Sequence, residues 1–282
     1  MDMKGGRTRV LKSFGDPGTR VRTYPIILAH GIARFDALWR WALRDPDAGW
    51  AHYFRNVRGC LREAGFDARH ASVGWADSLA ERSRSLRRQV DTALKGTDKV
   101  HIVAHSMGGL DARRMLLDGR GDGLHERVAS LTTLGTPHRG SPAADLVIRR
   151  LPWLLRVGEG VRDLTTAACA AFNAESEDFE NSCGVRMRAW AGAQPLRRIM
   201  WPLVPAWLVV RAVEGPNDGL VSVQSAMWSE GRFAGTVDAD HFNLCGWWDP
   251  AERAGREETE ARLKGLYLGI AEELGREFPV RS

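Results

Sequence analysis

The run Val100-His101-Ile102-Val103-Ala104-His105-Ser106-Met107-Gly108-Gly109 constrains this chain more than any other segment, because it bends an apolar strand into a helix through a serine flanked by small residues. A strand that turns sharply into a helix brings the two backbones together, and only small side chains tolerate the approach. The local pattern is Ala-x-Ser-x-Gly rather than Gly-x-Ser-x-Gly, a change that the same steric argument allows. Such a bend exposes a hydroxyl for attack on an acyl carbon. A plain helix start capped by Ser106 is the competing reading of the pentapeptide by itself.

The flanking segments decide the architecture. The apolar run Tyr24-Pro25-Ile26-Ile27-Leu28-Ala29 ends at His30-Gly31, and further short strands are expected at 69–73, 99–104, 128–134, 185–190 and 233–237. Helical stretches are expected at 51–64, 78–95 and 107–117. Strands separated by helices predict an α/β fold, a mostly parallel central sheet with helices on both faces. At 282 residues, with no repeat or low-complexity linker, the whole chain 1–282 is expected to form a single domain.

Two apolar excursions interrupt the pattern. Residues 141–180 contain Leu146-Val147-Ile148-Arg149-Arg150-Leu151-Pro152-Trp153-Leu154-Leu155, and residues 196–213 contain Ile199-Met200-Trp201-Pro202-Leu203-Val204-Pro205-Ala206-Trp207-Leu208-Val209-Val210. Both are too short or too interrupted to span a bilayer, so no transmembrane segment is expected. Inserted beside a reactive serine, they read as a helical lid or cap whose inner face lines the substrate site, in preference to ordinary core helices. An opened cap would present tryptophan and leucine to a lipid surface.

The formal net charge is +5, and basic segments such as Glu81-Arg82-Ser83-Arg84-Ser85-Leu86-Arg87-Arg88 carry the excess without any zinc-finger or RNA-binding signature. It reads as the solvated face of a helix rather than a nucleic-acid surface, although it favours the approach of anionic interfaces. Cys60, Cys169, Cys183 and Cys245 show no Cys-x-x-Cys spacing and are expected to be free and mostly buried. A Cys169–Cys183 bridge closing one surface loop is the alternative in an oxidising compartment. The start, Met1-Asp2-Met3-Lys4-Gly5-Gly6-Arg7, leads into no apolar core of signal-peptide length, which points to the cytoplasm, or to secretion with a leader missing from this chain.

A serine alcohol is a weak nucleophile without a base in hydrogen-bond reach and a third group to orient that base. His241, late in the chain after the strand expected at 233–237, is the strongest base candidate, because serine, acid and histidine follow that order in folds that use such a bend. The other histidines lack a comparable setting; His30 belongs to the turn after the first strand, His105 precedes the serine and His138 follows Thr136-Pro137. For the acid, Asp218 in the polar turn Asn217-Asp218-Gly219-Leu220-Val221 is preferred to Asp238 and Asp240, which would have to fold back on their own turn to reach His241. The backbone amides of Met107 and Ile32 are the expected donors to a developing oxyanion. Thr133-Leu134-Gly135-Thr136-Pro137-His138-Arg139-Gly140-Ser141 is a second small-residue turn, shaping the pocket or serving structure alone.

Taken together, Pro25-Ile26-Ile27-Leu28-Ala29-His30-Gly31-Ile32, Ala104-His105-Ser106-Met107-Gly108-Gly109, Leu134-Gly135-Thr136-Pro137-His138-Arg139-Gly140-Ser141, Asn217-Asp218-Gly219-Leu220-Val221 and Asp240-His241-Phe242-Asn243 resemble the bacterial triacylglycerol lipases of the α/β-hydrolase superfamily, in family order over residues 24–245. The Ala-His-Ser-Met-Gly form is similar to that of some bacillary lipases. The resemblance implies ester hydrolysis through an acyl-serine intermediate, with Ser106 as nucleophile, Asp218 as acid, His241 as base and oxyanion amides at Ile32 and Met107. It implies a movable lid within 141–180, a hydrophobic ester substrate such as an acylglycerol and contact with a lipid–water interface. Larger lipases of this kind hold calcium through one aspartate well before the acid loop and another two residues after the histidine. Here Asn243 takes the second position and 190–213 contains no acidic residue, so neither calcium nor any other metal or cofactor is expected. A carboxylesterase or acyltransferase using the same residues is the nearest alternative, and a catalytically silent binding scaffold is the alternative of another class.

Overall fold

Alternating strands and helices do build one parallel sheet. The protein is described by a computed structural model over residues 23–32, 53–74, 77–150, 159–247 and 256–280. Its strands are β1 (Ile26–Ala29), β2 (Ala68–His70), β3 (Val100–His105), β4 (Val128–Leu134), β5 (Arg186–Gly192) and β6 (Phe233–Val237). They lie in the order β2-β1-β3-β4-β5-β6, and every neighbouring pair is parallel. In chain order the helices are α1 (Val57–Glu63), α2 (Leu79–Ala93), α3 (Met107–Asp118), α4 (Pro142–Arg150), α5 (Gly160–Asp163), α6 (Thr166–Ser182), α7 (Val204–Val213), α8 (Val223–Ala226) and α9 (Arg256–Glu277).

Alternation along each strand serves two cores. Ile27 and Ala29 of β1 join Ile102 and Ala104 of β3 under Leu86 and Val90 of α2 and Ala112, Met115 and Leu116 of α3. Ile26 and Leu28 turn to the other face, with Val103, beneath Val57 and Leu61 of α1 and Leu263, Leu266, Tyr267, Ile270 and Leu274 of α9. Burial on both faces is why these strands read as continuous apolar runs. No helix is expected from the sequence at α9, although its buried residues recur at helical spacing.

Several boundaries move. The strand expected at 69–73 leaves the sheet after His70, yet Ala71 still donates its amide to the Leu28 carbonyl at 2.9 Å, so the apolar pattern outlasts the ladder. The helix expected at 51–64 begins at Val57, preceded by Asn56 at φ 57°; residues 51 and 52 lie outside the described residues. The excursion at 141–180 becomes α4, α5 and α6, with its segment 151–158 outside the described residues, and the one at 196–213 becomes two short 3-10 turns and α7.

Arg82 departs from the solvated-face expectation: its side chain is fully buried and meets Asp111 of α3 through Nε at 3.0 Å and Nη2 at 2.7 Å. A bridge between Cys169 and Cys183 is excluded by geometry. Cys169 lies in α6 and Cys183 caps the end of the same helix, so they stand roughly 20 Å apart at ~1.5 Å per residue, far beyond a disulfide's reach. Among the described residues all four cysteines are free, and no helix is long and apolar enough to cross a membrane.

Candidate active site

The strand order reverses at β1, which has β2 on one side and β3 on the other, and crevices at the carboxyl ends of such strands collect ligands. Ser106 follows β3 there, and the His30-Gly31-Ile32 turn follows β1. Ser106 has φ 57° and ψ −135°, a backbone conformation that costs about 1–3 kcal/mol for a side-chain-bearing residue and persists only when its surroundings enforce it. They do so through three bonds. The Ser106 amide donates to the Leu134 carbonyl at 3.0 Å, its carbonyl accepts the Gly109 amide at 3.1 Å, and the Thr136 hydroxyl donates to the same carbonyl at 2.7 Å.

Two glycines make room for the bend. A Cβ at Gly108 would stand 2.5 Å from the Ala29 carbonyl oxygen, and one at Gly31 would stand 2.6 Å from the Ser106 Cβ. The second contact brings the β1 turn against the serine itself. Met107 opens α3, so its amide lacks an intrahelical acceptor; Ile32 follows Gly31 directly. Arg82 steadies this turn, donating from Nη2 to the His30 carbonyl at 2.8 Å and from Nη1 to the Gly74 carbonyl. The His30 ring accepts the Val73 amide at Nε2, 3.2 Å, leaving Nδ1–H to donate to the Gly31 carbonyl at 2.8 Å.

His241 lies between the predicted nucleophile and the predicted acid. Its Nε2 is 2.9 Å from the Ser106 Oγ and its Nδ1 is 2.8 Å from the Asp218 Oδ2. Asp218 is completely buried, and its other oxygen accepts the Leu220 and Val221 amides at 2.9 and 2.8 Å. A carboxylate so supplied with donors is held as an acceptor, which requires the proton of His241 on Nδ1 and leaves Nε2 free to receive the serine proton. The acid and histidine loops are also joined directly, the His241 amide donating to the Asp218 carbonyl at 2.7 Å.

The rival acids are otherwise engaged. Asp238 pairs with Arg198 at 2.7 Å and Arg262 at 3.1 Å. Asp240 accepts the Asn243 amide at 2.7 Å and the Met200 amide at 2.9 Å, and burial pushes its carboxyl up to about 6. Asn243 accepts the Asp240 amide at 3.2 Å and donates to the Trp247 carbonyl at 2.8 Å. Among the described residues no group of three His, Cys, Asp or Glu side chains could hold a metal.

The site also holds supporting residues that carry no local signal in the sequence. His105 lies beside His241 with ring centroids 4.6 Å apart and shares a hydrogen bond of 2.8 Å with the Tyr53 hydroxyl. Burial lowers its pKa far below the ordinary histidine value, so it stays uncharged beside the base. The second small-residue turn braces both loops. Besides Thr136 under Ser106, the Ser141 hydroxyl donates to the Leu220 carbonyl at 2.6 Å, and His138 stacks on Trp228 at 4.2 Å. These are long-range contacts; only the density of small and hydroxyl residues in the turn hinted at them.

A cover approaches from α5. A Cβ at Gly160 would stand 3.2 Å from Ile32 Cδ1 and 3.4 Å from Met107 Sδ, so this short helix lies on the side chains of both residues expected to supply oxyanion amides. Asp163 at its end accepts the Leu79 amide at 2.6 Å, tying α5 to the start of α2.

A family model described as a PGAP1-like alpha/beta domain matches residues 77–151. The triacylglycerol lipase 2 of Saccharomyces cerevisiae is 30% identical over 247 residues, covering 79% of this chain and 73% of that protein. A triacylglycerol lipase of Vibrio cholerae is 30% identical over 243 residues, covering 72% of this chain and 73% of that protein. In fold, the crystal structure of a metagenomic carboxyl esterase superposes with a TM-score of 0.75 at 18% identity, over 99% of this chain and 82% of that one.

Proposed function

The chain belongs to a lipase family of the α/β-hydrolase superfamily, and we propose that it is a serine hydrolase that cleaves long-chain carboxylic esters such as acylglycerols at Ser106. The observation that carries the reading is the continuous hydrogen-bonded line from the strained Ser106 through His241 to Asp218, at 2.9 and 2.8 Å. Relatives named as triacylglycerol lipases support the ester as the bond cleaved. They do not favour transfer to another acceptor or a silent scaffold.

In this reaction His241 Nε2 takes the proton of Ser106 as Oγ adds to the ester carbonyl. Asp218 holds the imidazole in the required tautomer and offsets the charge of the imidazolium. The carbonyl oxygen becomes an oxyanion and is met by the amides of Ile32 and Met107, donors of a kind worth about 3 kcal/mol each in the transition state. Collapse returns the proton from His241 to the departing alcohol and leaves an acyl-serine. Water, deprotonated by the same nitrogen, adds to it and releases the acid. Shaping of the pocket falls to a lid drawn from residues 141–180, with 196–213 beside it; the contact of Gly160 with the Ile32 and Met107 side chains supports the first.

Hydrolysis of p-nitrophenyl esters from two to sixteen carbons and of emulsified triolein, with the Ser106→Ala protein alongside, tests the proposal. Release from the longest esters and triolein that disappears in Ser106→Ala is the expected result. Activity confined to short soluble esters would move the reading to carboxylesterase, and none that depends on Ser106 would overturn it.

A further inference from the structure

Helix α7 and the 3-10 turn Trp201–Leu203 that leads into it are apolar on opposite sides. Leu203, Trp207 and Val210 recur at helical spacing on the inner side. Leu203 and Val210 are buried, and the Trp207 indole donates to the Gln194 carbonyl at 3.1 Å. Trp201, Pro205, Leu208 and Ala212 recur at the same spacing on the outer side, all exposed; Trp201 is 74% exposed and Leu208 51%, and Val213 at the helix end is 67% exposed. A surface helix ordinarily carries polar groups there, but the only charged residue of α7 is Arg211. An exposed tryptophan, leucine and valine gathered on one element mark a contact surface.

Basic charge predominates around this face, with the half-buried Glu214 that caps the end of α7 as the acidic exception. Arg197 and Arg211 are exposed and make no ion pair among the described residues, and the sequence has no aspartate or glutamate between 181 and 213. Helix α4, which packs against α7, ends in the exposed Arg149 and Arg150. We infer that this face is a docking surface for an anionic phospholipid bilayer, with Trp201, Leu208 and Val213 entering the boundary between headgroups and acyl chains and Arg197 and Arg211 meeting lipid phosphates. A second copy of the chain is a poorer occupant, because a twofold pairing would bring the exposed Arg197 and Arg211 of both copies together, with only the half-buried Glu214 of each to offset them.

The inference rests on the reading of the site as a hydrolase of lipid esters and adds where such a substrate is met. Leu203, on the inner side of the same element, lies against Gly219 beside Asp218, and the Met200 amide before the turn is held by Asp240 beside His241. A bilayer on the outer face is therefore one helix, about 10 Å, from the acid and histidine loops.

Flotation of the full-length Ser106→Ala protein with vesicles of phosphatidylcholine, and with vesicles containing about a third phosphatidylserine, reads docking without turnover. The expected result is partitioning at least tenfold stronger onto the anionic vesicles. It weakens about fivefold with each of Arg197→Gln and Arg211→Gln, falls to background in the Trp201→Ser/Leu208→Ser protein and is suppressed by salt. Thermal melts of the variants, expected unchanged because these side chains are exposed, confirm that they fold. Equal binding to neutral vesicles, no binding to either kind, or variants that float like their parent would overturn the inference. A concentration-dependent dimer abolished by Leu208→Ser would assign the face to a second copy. Because hydrolysis plays no part in the measurement, turnover of triolein by a protein that binds no vesicle would separate this inference from the proposed activity.

Discussion

Asp218 is placed by five bonds: two amides on Oδ1, the His241 ring on Oδ2, the His241 amide on its carbonyl, and its own amide donated to the Val221 carbonyl. Replacing it with asparagine puts an NH2 or a single carbonyl oxygen opposite Nδ1, which frees the imidazole to adopt the wrong tautomer. Asp218→Asn is expected to lower kcat on a soluble ester by about 10⁴-fold with little change in KM, measured by steady-state kinetics. Asp240 carries a different prediction. Its carboxyl titrates at about 6 because burial outweighs its two amide donors, whereas an unfolded aspartate titrates near 3.9. Between those values the native state binds the additional proton, so this group makes the protein more stable as pH falls from above 6 toward 4, by up to about 3 kcal/mol. Urea melts at both ends of the window should display that component in the parent and lack it in Asp240→Asn. Ser106 and His241 were legible as candidates because each carries a local signal, a small-residue bend and a late histidine in family order. Tyr53 and His105 were not, because a buried side chain that supports another across the fold leaves no mark in its own neighbourhood of sequence.

At the scale of elements, α5 and α9 illustrate opposite problems. Helix α5 is four residues long and too short for any periodicity; what matters in it is Gly160, whose importance comes from Ile32, Met107 and the Asp77 carbonyl lying opposite. Gly160→Val would place a Cβ 2.8 Å from that carbonyl. It is expected to cost about 1–3 kcal/mol of stability and to lower kcat/KM on esters, because the Ile32 loop is the neighbour that yields; melts and kinetics on the same preparation check both. Helix α9 is the opposite case: its buried residues recur at helical spacing, but no motif marks it. Its Leu266, 5% exposed among the side chains covering β1, predicts a loss of about 2–5 kcal/mol in Leu266→Ala, measured by denaturant unfolding. The strands were easier. Burial on both faces makes each a compact apolar run, and 128–134 and 233–237 coincide with β4 and β6.

Across the whole molecule, the Arg82–Asp111 pair joins parts that are remote in the chain: helices α2 and α3, the His30 turn after β1 and the Gly74 loop after β2. Removing one member leaves a buried, uncompensated charge, so Arg82→Ala is expected to cost about 3–5 kcal/mol in chemical unfolding, and the surviving folded enzyme should show reduced kcat as the His30 carbonyl loses its donor. In the sequence the same arginine sat in a basic run indistinguishable from a solvated helix face, because local pattern records charge and spacing but not which turn of a helix is covered. The α/β class, most strand positions and the serine bend were readable from periodicity and from the steric limits on a tight turn, and the candidates proposed as base and acid from motif order. The strand order that sets Gly31 against Ser106, the separation of Cys169 from Cys183, the burial of Arg82 and the outward face of α7 came with the folded chain alone. Each depends on which distant surface packs against a residue, and that is settled when the sheet closes with its helices and not before.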